Sequence, residues 1–349
     1  MKILTIKKTD WEKGVDAARQ SYRLFGPVLE DNMHVIRELD ENQYPDLGYI
    51  DTVLSFKSIL FPQSENILTA SLNENDDNHH IFARPPADYS PRAVIGIRPY
   101  DAKAVELVKM NFDTEDYRDP YWCDAYEATT LIGLAVNQPG IYDFSTTAGS
   151  GPFDEDGLDL LLIDHEDEYL CKVITPKGEA YAEACGIDAP ADSNAAQLIE
   201  QMKAEAQDAI QGAISTDKLQ SQTILNLYEA PFWEDVAFSC INCGTCTYVC
   251  PTCWCFDIQD ETKRKSTIRM RNWDTCMSSL FTHHASGHNP RSEKVQRVRQ
   301  RFMHKLKYFF DKYDKGTMCV GCGRCVKHCP VNIDIREVCN MMNDYVIQE

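Results

Sequence analysis

Cys240-Ile241-Asn242-Cys243-Gly244-Thr245-Cys246-Thr247-Tyr248-Val249-Cys250-Pro251 is matched further along the chain by Cys319-Val320-Gly321-Cys322-Gly323-Arg324-Cys325-Val326-Lys327-His328-Cys329-Pro330. Each stretch reads Cys-x2-Cys-x2-Cys-x3-Cys-Pro, the spacing of a bacterial ferredoxin-type 4Fe–4S run. Cysteines at every third position wrap one corner of a cubane, and the fourth is poorly placed to close the same cluster. Two runs in one chain therefore predict crossed ligation. Cluster one takes Cys240, Cys243, Cys246 and Cys329, and cluster two takes Cys319, Cys322, Cys325 and Cys250. Gly244, Gly321 and Gly323 permit positive φ and bring backbone N–H groups close to cluster sulfurs. Zinc is the competing reading, but zinc takes pairs of cysteines rather than triplets followed by Cys-Pro.

Three cysteines next to these runs fall outside the pattern. Cys253 and Cys255 lie in Pro251-Thr252-Cys253-Trp254-Cys255-Phe256-Asp257, and Cys276 lies in Trp273-Asp274-Thr275-Cys276-Met277. They are expected to hold a third 4Fe–4S cluster with Asp257 or His288 as fourth ligand; the alternative is that they are buried, inert cysteines. Cys123, Cys171, Cys185 and Cys339 stand alone and read as structural. His283 and His284 adjoin a polar loop and read as solvent-exposed or core histidines rather than ligands.

Eleven of the fifteen cysteines lie between Cys240 and Cys329, so the metal chemistry is local. The N-terminal Met1-Lys2-Ile3-Leu4 runs straight into Lys7, Lys8 and Asp10, which is not a secretory signal. Clustered cysteines in a chain without an export signal are metal ligands before they are disulfides. No apolar stretch approaches the ~20 residues that span a bilayer, so the expectation is a cytoplasmic protein without direct membrane insertion. A net charge of −19 argues against nucleic-acid binding. Glu261 to Lys315 nonetheless carries fourteen Lys or Arg against five Asp or Glu, a local +9. That stretch is either a docking face for an acidic partner or a solvated helix surface. Within it Val295, Val298, Phe302, Leu306 and Phe309 recur at helical spacing with Arg297, Arg299, Arg301, Lys305 and Lys307 between them. The pattern predicts a basic amphipathic helix packed on the cluster domain.

Upstream, residues 1–235 read as an α/β domain. Ala93–Ile97, Leu131–Val136 and Leu160–Ile163 are buried-strand runs, and Pro99-Tyr100-Asp101 opens a helix with Asp101 as N-cap. A second helix is expected over Ala191–Gly212, capped by Asp192 or Ser193, with Ala195, Ile199, Met202, Ala206 and Ala209 on one face. Asn73–His80 and Gly149–Asp159 read as surface loops. Residues 236–349 form the ferredoxin-like, helix-rich dicluster domain with a long insertion between its runs, and the fold class is α+β. No P-loop, strand-following GxGxxG or nucleophile elbow is present, so no catalytic or nucleotide-binding residue is assigned.

Several stretches resemble one family. They are Cys250 to Asp257, Trp273 to Met277, Gly287-His288-Asn289, Arg301 to Lys305 and Cys319 to Cys325, with weaker matches in Ser55 to Pro62 and Gly96 to Asp101. The family includes the beta subunit of cytosolic sulfhydrogenases, the A subunit of anaerobic sulfite reductase, and the iron–sulfur subunit of flavin oxidoreductase–heterodisulfide reductase complexes. The resemblance implies a non-catalytic relay of single electrons inside a multi-subunit complex. It would run from a flavin subunit that oxidises NAD(P)H to a hydrogenase, sulfite reductase or heterodisulfide reductase-type subunit. It also implies that chemistry carried by cysteines in many relatives is absent here at Tyr100, Asp143 and Ser145. The alternative is a self-standing flavin-dependent oxidoreductase with its clusters beside an α/β substrate domain.

Overall fold

Short apolar runs alternating with helices build one mixed sheet in the computed structural model, which describes residues 2–346. The outer ends of the two expected domains, Met1 and residues 347–349, lie outside the described residues. Eleven strands are β1 (Lys2–Lys7), β2 (Arg23–Glu30), β3 (Met33–Glu38), β4 (Ser64–Ser71), β5 (Arg92–Ile97), β6 (Thr129–Leu134), β7 (Leu160–His165), β8 (Glu168–Val173), β9 (Ala189–Pro190), β10 (Phe256–Lys263) and β11 (Ser266–Trp273). Eight of them form a sheet in the order β3-β2-β5-β6-β7-β8-β1-β9. Its centre, β2-β5-β6-β7, is parallel, and both flanks are antiparallel. Every residue of β5 and β6 is buried, because helices and loops cover both faces; this is why those strands read as unbroken apolar runs.

The helix after β5 spans Pro99–Phe112, with proline in its first turn and Arg98 as the N-cap. Asp101 is not the cap: it lies inside the first turn, and its carboxylate is taken by Arg324 of the second cysteine run. The expected Ala191–Gly212 helix runs from Ala195 to Ala209 with Asn194 as N-cap. Asp192 instead accepts from the Asn194 N–H at 2.8 Å, shaping the turn before the helix. Ala195, Ile199 and Ala206 are buried, Met202 is half-buried, and Ala209 faces out. The Gly149–Asp159 segment is only partly a surface loop, since Phe153 and Leu158 turn into the core.

A second, three-stranded sheet has the order β10-β11-β4. The insertion between the cysteine runs thus pairs, through β11, with a strand from the N-terminal half, across the boundary expected at 235/236. Arg271 of β11 fixes the junction, reaching Glu65 and Asp119 at 2.5 Å each and lying over the Phe61 ring at 4.8 Å. Apart from this hairpin, the C-terminal part is helical. Its core joins Trp233, Val298, Phe302, Leu306, Ile335 and Met342, and Phe144 enters it from the N-terminal half. Among the described residues no helix is long and apolar enough to cross a membrane.

Candidate metal centres

The two cysteine runs fold alike. Gly244 at φ 77° opens the short Thr245–Tyr248 helix, and Gly323 at φ 71° opens Arg324–Lys327. Both are left-handed positions that favour glycine. Space adds a second reason in the second run. A Cβ on Gly321 would meet the Ser145 Cα at 2.4 Å, and one on Gly323 would meet the Tyr142 carbonyl oxygen at 2.3 Å. The second run therefore lies flat on residues 142–145, where the Phe144 N–H donates to the Gly321 carbonyl at 2.9 Å. Backbone N–H groups also point at sulfur, from Asn242 to Cys240 Sγ at 3.4 Å and from Ile333 to Cys329 Sγ at 3.2 Å.

Cys240, Cys243, Cys246 and Cys329 line one cavity, with Cys325 on its inner wall. Burial pushes the Cys240 thiol up, and Cys243 and Cys329 add to the rise. Cys319, Cys322 and Cys325 are pushed up to about 12 by burial, and Cys250 adds to the rise at each of them. Cys329 thus lines the cavity of the first triplet. Cys250, which pairs most closely with the Cys253 thiol, is near enough to the second triplet to raise its thiols. Of the eight, only Cys243 is exposed. Among the described residues no three His, Cys, Asp or Glu side chains converge tightly enough for a single metal ion.

Arg301 stands where these sets meet. It is buried, it lines the first cavity, and its Nη2 donates to the Cys246 carbonyl at 3.1 Å. Burial opposes its charge, but Cys246, Cys325, Cys253 and Cys250 together hold the guanidinium well above its usual range. Its Nε and Nη1 have no partner. Orphaned buried donors beside thiolates are costly in an otherwise complete structure. They fit an anionic cluster, whose sulfurs accept hydrogen bonds.

Cys253, Cys255 and Cys276 line a further cavity of about 360 Å³, which also borders Arg301. A hydrogen bond from the Cys276 thiol draws Cys255 down to about 6. Two lysines brace the loop. Lys305 donates to the Thr252 carbonyl at 2.8 Å and to its Oγ1 at 2.6 Å. Lys57, from the N-terminal half, donates to the carbonyls of Cys250 and Cys253 at 3.1 and 3.0 Å, and lies 4.0 Å over the Trp273 ring. Burial brings Lys57 down to about 8.

The expected fourth ligands are elsewhere. Asp257 lies on the exposed hairpin, where it accepts from Gln259 Nε2 at 2.7 Å. His288 is in an exposed loop, edge-on to His284 at 5.4 Å, and His283 and His284 are exposed as well. Cys123, Cys171, Cys185 and Cys339 are buried away from these cavities. Tyr100, Asp143 and Ser145 are all buried, and the Ser145 N–H donates to Asp143 Oδ1 at 2.8 Å.

The basic stretch differs most from its expectation. Arg297, Arg301, Lys305 and Lys307 are buried rather than presented to solvent. Lys307 donates to the Leu219 carbonyl at 2.8 Å and pairs with Asp311 at 2.8 Å, and Arg297 donates to the carbonyls of Arg291 and Ser292 at 2.9 and 2.8 Å. A π-helical stretch over His304–Tyr308 follows the Lys294–Met303 helix and contains both buried lysines, Lys305 and Lys307. The signal was available in the sequence, since the cations fall between apolar positions on a helix beside thiolates. Periodicity alone places them on the polar side of the helix and leaves a docking face and a solvated surface both open. His304, at the start of the π stretch, carries no spacing signal in the sequence, and burial pushes its imidazole down to about 4.

Residues 239–333 match the family model described as a 4Fe-4S dicluster domain. The chain is similar to Sulfhydrogenase 2 subunit beta of Pyrococcus furiosus, at 26% identity over 329 residues that make up 93% of each chain. The match and the similarity support an iron–sulfur electron-transfer subunit family. No solved structure matches the chain. The matched segment contains all eleven clustered cysteines as well as Arg301 and His304.

Proposed function

We propose that the chain relays single electrons between a flavin subunit that oxidises NAD(P)H and a terminal redox subunit of the hydrogenase, sulfite reductase or heterodisulfide reductase type, in the cytoplasm. Clusters of this kind supply one-electron carriers whose potential follows ligation, hydrogen bonds to sulfur and exposure. The remaining tasks belong to the chain. Cys240, Cys243, Cys246 and Cys329 would hold one cluster, and Cys319, Cys322, Cys325 and Cys250 the other. Cys253, Cys255 and Cys276 would hold a third. The second triplet is half-buried against residues 142–145, whereas Cys243 opens the first towards a partner. In this reading residues 1–235 are the docking and supporting domain and residues 236–349 the redox domain.

The observation that carries the reading is the meeting of three cysteine sets on one buried guanidinium, Arg301, with one thiol of the first set at the surface. A closely spaced series with a single exposed end suits transfer between partners. The similarity to a sulfhydrogenase beta subunit supports the same assignment to a complex. The test is turnover by the isolated, flavin-free chain with artificial acceptors. It should not oxidise NADH or NADPH alone and should become reducible by them once a flavin subunit is added. Robust oxidation by the chain alone would overturn the relay.

A further inference from the structure

We propose that His304 supplies the fourth protein ligand to the metal centre held by Cys253, Cys255 and Cys276, in place of Asp257 or His288. The inference rests on the third-centre reading above and asks which side chain completes it.

The walls of the cavity leave one suitable donor. Arg291, Arg301 and Lys305 line it but offer hydrogen-bond donors and no lone pair. Gln300 offers an amide oxygen, a hard donor matched to magnesium or calcium rather than to iron beside thiolates. The Thr252 hydroxyl is taken up by the Met318 carbonyl at 2.7 Å and by Lys305. His304 is the remaining lining side chain with a ligating atom, and imidazole is a competent iron ligand.

Its placement agrees. The His304 ring meets the Trp254 ring edge-on at 5.7 Å, and Trp254 is the residue between Cys253 and Cys255. The imidazole therefore faces the Cys-x-Cys segment across the cavity. It follows Arg301 by three positions, so both residues project from one helix face towards the thiols. Arg301 is also the buried residue whose Nε and Nη1 lack partners at this cavity. Trp254 packs against the imidazole, and Lys305, which also lines the cavity, is anchored on Thr252. A neutral nitrogen in place of a fourth thiolate removes one negative charge from the centre. It should raise the potential relative to all-cysteine ligation, as histidine ligation does in Rieske centres.

Pulsed EPR on anaerobically purified full-length chain, reduced and labelled with nitrogen-15 histidine, reads the ligand directly. The wild type should contain about twelve irons and show a strongly coupled nitrogen. His304→Cys should lose that coupling, keep about twelve irons, and lower the midpoint of one centre alone. His288→Ala should leave the coupling unchanged. Twelve irons with no coupled nitrogen, or coupling that persists in His304→Cys, would overturn the ligand assignment and leave the third centre standing. About eight irons in the wild type would instead remove the third centre itself, and His304 with it. The wild-type spectrum decides the point even if the variant fails to fold.

Discussion

Arg324, inside the second cysteine run, and Asp101, in the first turn of the Pro99–Phe112 helix, form a buried bidentate ion pair. Nη1–Oδ1 is 2.5 Å and Nη2–Oδ2 is 2.7 Å. Nε adds a bond to the Thr52 carbonyl at 2.8 Å. The cluster loop is thus tied to the α/β sheet by a pair whose partners are both shielded from water. Removing one partner strands the other charge, whereas removing both can be nearly neutral.

Arg324→Met should therefore lower the stability of the anaerobic holoprotein by about 3–5 kcal/mol in denaturant titrations. Arg324→Met combined with Asp101→Leu should recover most of that loss. If the double variant is as unstable as the single one, the pair is not the main contribution of Arg324.

Crossed ligation predicts an asymmetric lesion. In Cys329→Ala, EPR should show damage to the cluster held by Cys240, Cys243 and Cys246, with the Cys319 cluster largely intact. Loss of the Cys319 signal instead would reverse the assignment. Cys250→Ala should give the mirror result.

Arg301 is a fixed positive charge beside several cysteines, and such a charge favours the reduced, more negative state of a nearby centre. Arg301→Met should lower the midpoint potentials of the neighbouring clusters by on the order of 60 mV, equivalent to about 1.4 kcal/mol for one electron. EPR-monitored redox titration measures this. Unchanged potentials at full iron content would confine Arg301 to a packing role.

Asp143 offers a test by pH. Burial raises its carboxyl pKa, and the Ser145 hydrogen bonds offset only part of the rise. Between the unfolded and the raised folded value the native state holds the extra proton. Stability therefore falls as pH rises through that window, and the deficit is complete above it. Asp143→Asn keeps an acceptor for the Ser145 N–H and removes the buried charge. The variant should be more stable than the wild type at neutral pH, with the gain disappearing towards about pH 4. A gain that is equal at both pH values would mean the charge is not its source.

The sequence made some of this legible and left other parts hidden, for identifiable reasons. The cysteine runs are local patterns with fixed spacing, so Cys240 to Cys250 and Cys319 to Cys329 could be read directly. β5 and β6 declared themselves because burial on both faces leaves unbroken apolar runs. Asp101 looked like a helix cap because its partner, Arg324, is remote in sequence and only the fold brings them together. The pairing of β4 with β11 was hidden for the same reason. Arg301 and Lys305 read as the polar side of an amphipathic helix because hydropathy counts a cation as polar wherever it points, and Lys57 carries no signal in its local sequence. Here backbone carbonyls stabilise the buried cations. Asp257 and His288 are near the three extra cysteines in sequence, whereas the cavity brings in His304 from the following helix.

The central claim is that the cysteine-bound centres carry electrons rather than merely brace the fold. The most direct measurement is an EPR-monitored potentiometric titration of the flavin-free chain, purified anaerobically, against a reduced flavin donor. The account predicts that its clusters are reduced in one-electron steps at potentials the donor reaches, and that they are reoxidised on adding an acceptor. Clusters that remain oxidised across that range, in a fully folded chain, would contradict it.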